Sequence, residues 1–221
     1  MSNPLIVALD VPSIDEASTL AKHIGDAAGA FKIGMELFYA AGPDAVRSID
    51  APIFLDLKLH DIPTTVARSM RALAPLRPAM VNVHALGGRA MLEAAVADKP
   101  EGTALLAVTI LTSLHDAALA EIGLPPAQDA VSLLATLAVD AGCDGVVCAP
   151  ADLETVRAVA PDDFLIVTPG IRPADHSQDE HARGTTPAEA MKAGATHIVV
   201  GRPITRATDP GAAARAILEE L

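Results

Sequence analysis

Short apolar runs rich in β-branched residues recur along this chain: LIVAL at 5–9, FKIG at 31–34, IFLDLK at 53–58, MVNVH at 80–84, LLAVTIL at 105–111, GVVC at 145–148, FLIVTPG at 164–170 and HIVVG at 197–201. Between them lie Ala-rich, helix-favouring stretches such as SIDEASTLAKHIG, TTVARSMRALAPL and DAVSLLATLAVDAG, several opened by a Ser, Thr or Asp suited to cap a helix. Such alternation is the pattern of βαβ units and a parallel sheet, because parallel neighbours need a long crossover between them. Eight strand-plus-helix units in 221 residues fit the compact end of the (β/α)8 or TIM barrel, an α/β fold. A doubly wound open sheet is the competing architecture. No linker, repeat or low-complexity segment divides the chain, so a single domain is expected over 1–221.

The polar residues choose between the two architectures. Asp10, Lys32, Asp56 with Lys58, His84, Thr109 with Thr112, Gly170 with Arg172, and Gly201 with Arg202 all fall at or just beyond the C-terminal ends of the apolar runs. In a barrel those ends converge on one mouth, where the active site belongs. An open sheet would concentrate its ligand groups at one switch point instead.

The third run continues as LDLKLHD at 55–61. Alternate side chains of a strand point to opposite faces, so Leu55, Leu57 and Leu59 share one face and Phe54, Asp56, Lys58 and His60 share the other. With the leucines packed outward against helices, Asp56 and Lys58 point inward or up into the mouth. Lys32 lies in the second run, Asp10 follows the first, and Asp61 comes three residues after Lys58. Ions are costly to remove from water unless they pair well, and leucines would hold a sheet more cheaply. A charged constellation at this end of a barrel therefore points to chemistry, with a structural ion-pair network as the alternative. A Schiff-base lysine must lose its proton. The acidic neighbours of Lys58 favour the ammonium form, which can stabilise a developing carbanion and then protonate it. Lys32 reads as an orienter or ligand contact. Asp61-Ile62-Pro63 also reads as a helix start, with Asp61 as N-cap and Pro63 just inside, a role that can coexist with a catalytic one.

TPGIRP at 168–173 and VVGRPIT at 199–205 each set a Gly at a strand end, followed closely by Arg. Glycine lets backbone N–H groups approach an oxyanion, and arginine supplies a forked, permanent charge. Both fall in the seventh and eighth βα loops, where barrels frequently bind phosphate. The polar stretch over about 171–186 reads as a lid that closes over that phosphate and excludes water. Its His176 and His181 lack partners at ligand spacing, so no metal site is expected.

A phosphate would have to be met locally, because 16 basic against 28 acidic residues give a net charge of −12. That charge disfavours nucleic acid and anionic membrane surfaces, and the absence of Trp argues against base-stacking platforms. The longest apolar run, TALLAVTIL, is too short to span a bilayer, and MSNPLIVALD does not look like a secretory signal, so a cytoplasmic location is expected. Cys143 and Cys148 read as reduced packing residues.

VALDVP at 7–12, FKIGMELF at 31–38, FLDLKLHDIPTTV at 54–66, VTILTS at 108–113, TPGIRP at 168–173, TTPAEAMKAGATHIVVGRPIT at 185–205 and DP at 209–210 together resemble the orotidine 5′-phosphate decarboxylases over essentially the whole chain. The DxKxxDIPxT pattern is the most specific of these. The resemblance implies a (β/α)8 homodimer that acts on orotidine 5′-phosphate to yield UMP, without metal or organic cofactor. It implies Lys58 as proton donor to C6 of the pyrimidine and Asp56 beside the substrate carboxylate. It further implies that Lys32 and Asp10 contact the ribose and join the charge network, and that Asp61 and Thr65 reach into the neighbouring subunit's site. On the same resemblance Thr112 is expected to contact the pyrimidine, Pro169 to belong to the substrate-binding set, and Arg172, Gly201 and Arg202 to hold the phosphate. The chain departs from the family pattern at the phosphate-loop glutamine, whose spacing lands on His181; Gln178 is the alternative if the loop is shifted. A related, Mg²⁺-dependent sugar-phosphate barrel is the competing enzyme, and a non-enzymatic nucleotide-binding protein the competing class.

Overall fold

The computed structural model describes residues 3–173 and 185–221. Eight parallel strands, β1 (Leu5–Ala8), β2 (Ala30–Gly34), β3 (Ile53–Leu59), β4 (Met80–His84), β5 (Ala104–Val108), β6 (Gly145–Val147), β7 (Leu165–Pro169) and β8 (His197–Val200), follow one another in chain order around a closed barrel. Closure comes from β8 pairing with β1, in the register Leu5↔Ile198, Ile6↔Val199 and Val7↔Val200. The architecture is the (β/α)8 barrel rather than the open sheet. Among the described residues, no helix is long and apolar enough to cross a membrane.

Each strand is buried on both faces, which is why its sequence is a continuous apolar run. Inward residues of the strands, among them Ile6, Phe54, Met80, Leu106, Val167 and Val199, form one small cluster inside the barrel. The alternate residues, such as Leu5, Val7, Leu55, Val81, Leu105 and Ile198, join the larger cluster between sheet and helices. Gly145 shows how tightly the strands pack, since a Cβ there would lie 2.4 Å from the Leu165 carbonyl oxygen.

One strand is shorter than its apolar run. LLAVTIL predicts strand to residue 111, yet β5 ends at Val108. Its neighbour β6 has only three residues to offer, and Thr109 instead gives its N–H, at 3.1 Å, and its hydroxyl, at 3.3 Å, to the Val147 carbonyl.

Several helix starts follow side-chain chemistry. The Ser13 hydroxyl caps Ile14–Ile24, Asp209 caps Pro210–Glu219, and Thr186 with Glu189 forms a reciprocal capping box on Pro187–Lys192. The helix after β3 corrects the expectation for Asp61: Pro63–Leu73 has Ile62, not Asp61, as its N-cap. The proline holds Ile62 in an extended conformation (φ −60°, ψ 152°), so the helix cannot begin earlier. The Asp61 carboxylate accepts the Ile62 N–H at 2.7 Å, ahead of the helix rather than on it.

His197 opens β8 with only 5% of its surface exposed. Its Nδ1 lies 3.0 Å from the Thr196 hydroxyl, while Nε2 has no hydrogen-bond partner among the described residues. Burial pushes its pKa from 6.5 down to about 4. Between those values the unfolded chain binds the extra proton and the folded one does not. The stability this residue contributes is therefore complete above pH 6.5 and drains away as the pH falls towards 4. Thermal melts should show a loss over that window in the wild type and a smaller loss in His197→Gln. Equal losses in both would assign the acid sensitivity to other groups.

Candidate active site

At the C-terminal ends of the strands lies an open pocket of about 400 Å³. Its floor is the top of the inner apolar cluster, with Ala8, Phe54, Val147 and Val199 exposed to the cavity. One wall is built by the first three βα units. Lys32, buried within β2, places Nζ 2.8 Å from Asp10 Oδ1 and 3.2 Å from Asp56 Oδ2. Lys58 Nζ is 2.5 Å from the other oxygen of Asp56. The four groups thus alternate in sign, Asp10, Lys32, Asp56, Lys58, along the rim.

Asp56 is the hinge of this array. Burial pushes its carboxyl pKa up; the Lys32 charge, the Lys58 hydrogen bond and charge, and a hydrogen bond from Asn82 outweigh that and leave it below the usual carboxylate value. The carboxylate therefore holds its charge more firmly than a free one does, despite its burial.

β3 does not reach this arrangement as a regular strand. Leu55 pairs with Val81 and Leu59 with Val83, so four residues of β3 advance against two of β4. Lys58 sits in the irregularity with φ +50°, left-handed backbone that an L side chain adopts at a cost of about 1–3 kcal/mol. The division of faces read from the sequence survives: Leu55 and Leu57 are in the outer core and Leu59 packs against it, while Phe54 and Asp56 face in. Asn82, fully buried on β4, links the parts, accepting the Lys58 N–H at 2.7 Å and donating to Asp56 Oδ1 at 2.7 Å. Sequence reasoning missed it, although an asparagine inside the apolar run MVNVH is a visible exception to strand composition.

Across the cavity stand Pro169, Arg172, Gly201 and Arg202 from the ends of β7 and β8, with Thr112 from the loop after β5. Gly170, at φ +80°, turns the chain out of β7. Arg172 N–H then bonds the Thr185 carbonyl at 3.1 Å, and Ile171 and Thr185 form an isolated parallel bridge, so both ends of the polar segment are pinned at the mouth. Among the described residues, four lysine and arginine side chains against two aspartates give the pocket lining a formal charge of +2 in a chain of −12.

Nine of the residues expected at the site, Asp10, Lys32, Asp56, Lys58, Thr112, Pro169, Arg172, Gly201 and Arg202, line this one cavity. Asp61 and Thr65 do not; both are exposed beyond it. His181 and Gln178 lie outside the described residues. His60 and His84 face each other above β4, ring centroids 5.4 Å apart. Burial, then the His60 and Lys58 charges, lower the His84 pKa against the opposing pull of Asp56. Cys148, on the cavity wall, is 1% exposed, and burial followed by the Asp152 charge pushes its thiol up to about 12. Like Cys143 it is a free, buried thiol. Among the described residues, no group of three or more His, Cys, Asp or Glu side chains is placed to hold a metal ion.

A family model described as orotidine 5′-phosphate decarboxylase / HUMPS matches residues 3–217. The chain belongs to this family. It is 48% identical to an orotidine 5′-phosphate decarboxylase of Thermobifida fusca, over 100% of this chain and 97% of that protein. It is 49% identical to one of Anaeromyxobacter sp. strain K, over 98% and 97%. A crystal structure of the orotidine 5′-phosphate decarboxylase from Lactobacillus acidophilus superposes with a TM-score of 0.86 at 42% identity, covering 99% of each chain. Membership in the decarboxylase family agrees with a cavity that opposes an ionised acid–base array to a pair of arginines.

The order of influences on Asp56 yields a direct test. After burial, Lys32 is the strongest of them and the strongest that favours ionisation. In Lys32→Gln the Asp56 carboxyl should titrate at higher pH than in the wild type, as read from its ¹³C chemical shift. An unmoved titration would mean that Lys32 does not hold the charge on Asp56.

Proposed function

We propose that the chain converts orotidine 5′-phosphate to UMP and CO₂ in pyrimidine biosynthesis, in the cytoplasm, with Lys58 as the proton donor and no metal or organic cofactor. The observation that carries this reading is the ammonium of Lys58 held 2.5 Å from Asp56, across the cavity from Arg172 and Arg202.

The bond between C6 and the carboxylate breaks, CO₂ leaves, and the electron pair stays on C6. The Lys58 ammonium then gives that carbon a proton and recovers one from solvent. No conjugated cofactor absorbs the charge, so the site must supply stabilisation towards the high end of what enzymes achieve, on the order of 20 kcal/mol. A fixed array of ions suits this task, because its dipoles need no reorganisation when the carbanion forms. Asp56 would face the substrate carboxylate and disfavour it relative to the transition state. Asp10 and Lys32 would hold the ribose and Thr112 the pyrimidine, with Pro169 beside them. Arg172, Gly201, Arg202 and His181 would hold the phosphate, whose binding energy is spent on the distant reacting carbon.

The active form in this reading is a homodimer in which Asp61 and Thr65 complete the partner's site. Their exposure outside their own cavity supports it, as does the apolar side chain of Ile62 between them, 65% exposed.

Turnover of orotidine 5′-phosphate should persist in excess EDTA, measured as loss of substrate absorbance. Turnover that EDTA abolishes would favour a metal-dependent relative of the family instead. Lys58→Ala should lose at least about 100-fold in kcat while still binding UMP. Mixing Lys58→Ala with Asp61→Ala chains should restore activity in one of the two sites of a heterodimer. No recovery would count against Asp61 acting across the interface.

A further inference from the structure

We propose that Asn82 is a positioning residue for this reaction, one side-chain amide that sets both the orientation of Asp56 and the backbone of Lys58. The proposal rests on the reading of Lys58 as proton donor and adds the device that aims it.

Asn82 is fully buried between inward-facing apolar neighbours, with Met80 two residues before it on β4 and Leu106 opposite it on β5. A leucine or valine would fill that position at no cost in desolvated polar atoms, whereas a buried amide is tolerated only when its donor and acceptor are both satisfied. Here each is satisfied by a member of the ion pair. Oδ1 accepts the Lys58 N–H, which the shift in register between β3 and β4 has taken out of the ordinary ladder. Nδ2 donates to Asp56 Oδ1, the oxygen that also receives Lys58 Nζ, and Oδ2 is left to face Lys32. The orientation of the amide follows from this chemistry, since the flipped form would set a carbonyl against a carboxylate and two N–H groups against each other.

Both contacts bear on the aim of Lys58. Its left-handed backbone, at φ +50°, directs the side chain out of the pleat, and the bond to Asn82 Oδ1 offsets part of the strain of holding it there. The bond to Asp56 fixes the rotation of the carboxylate that anchors Nζ. With either contact gone, Lys58 would keep its charge and lose its placement, and a misplacement of about 1 Å can cost on the order of 10²-fold in rate.

Asparagine is also distinguishable here from its near-isostere. An aspartate at 82 would keep an acceptor for the Lys58 N–H but would turn a carboxylate towards Asp56. Two carboxylates sharing one site cannot both ionise easily, so the pair would bind a proton well above the usual carboxylate range. Once protonated, the acid has an O–H to give Asp56 and a carbonyl to accept from Lys58, restoring what the amide did. The charged or titratable groups around that position are Lys32 from β2, Asp56, Lys58 and His60 from β3 and its end, and His84 from β4 itself; β5 sets only Leu106 opposite.

The test compares wild type, Lys58→Ala, Asn82→Leu and Asn82→Asp by steady-state kinetics on orotidine 5′-phosphate from about pH 5 to 8, with UMP binding and thermal melts at each pH. Asn82→Leu should lose about 10- to 100-fold in kcat at every pH, with KM and UMP affinity within about 3-fold of wild type. Asn82→Asp should match that loss near pH 8 and regain about tenfold or more, relative to wild type at the same pH, as the pH falls towards 5. The melting temperature of Asn82→Asp relative to wild type should not follow that recovery. A kcat for Asn82→Leu within about twofold of wild type, losses that track UMP affinity or melting, or an Asp-to-wild-type ratio flat with pH would each overturn the positioning role. An inactive wild type, or a fully active Lys58→Ala, would instead overturn the functional reading beneath it.

Discussion

The hydrogen bonds between β8 and β1 impose the condition on which everything else rests. Once eight parallel strands close on themselves, all their C-terminal ends must meet at one mouth, whatever their separation in sequence. Asp10 and Arg202, nearly the whole chain apart, become lining residues of one cavity for that reason alone. Closure also splits every strand between two environments. Inward positions meet one another across the barrel, and outward positions meet helices. The inner layer is apolar through Phe54, Met80 and Leu106, and becomes ionic only at Lys32, Asp56 and Lys58, where the cavity opens to water. The apolar floor limits the depth to which solvent can reach the ions, and so keeps their mutual fields strong.

Within that mouth, charge is held in place by alternation. Each ion of Asp10, Lys32, Asp56 and Lys58 has a neighbour of opposite sign, and Lys32 and Asp56 have two each. Burial disfavours the charged form of a carboxylate; here the surrounding donors more than offset that effect. Arg172 and Arg202 join the two lysines in the cavity lining, so among the described residues that lining is cationic although the protein is strongly anionic. A lining of this sign favours an anionic ligand.

The fold was legible because parallel strands buried on both faces must be continuously apolar, and the helices between them must be long enough for a crossover. The charged wall of the cavity was legible because charges inside such runs are expensive and therefore conspicuous. What failed depended on neighbours. LLAVTIL outran its strand because β6 is too short to pair with its end. Asp61 lost the N-cap position to Ile62 because the following proline dictates an extended residue before it. Asn82 escaped notice because its meaning lies in a bond to a strand 24 residues earlier in the chain, which no periodicity records.

Sequence by itself determined the α/β alternation, the identity of the ionic residues and the face of β3 on which each would lie, since these follow from local periodicity and from the cost of desolvating charge. Only the tertiary structure decided that β3 slips against β4, that Lys58 turns left-handed at the slip, and that a buried amide on the next strand holds lysine and aspartate together. Those are matters of register between strands, and register is set when a barrel closes, not by the residues of any one strand.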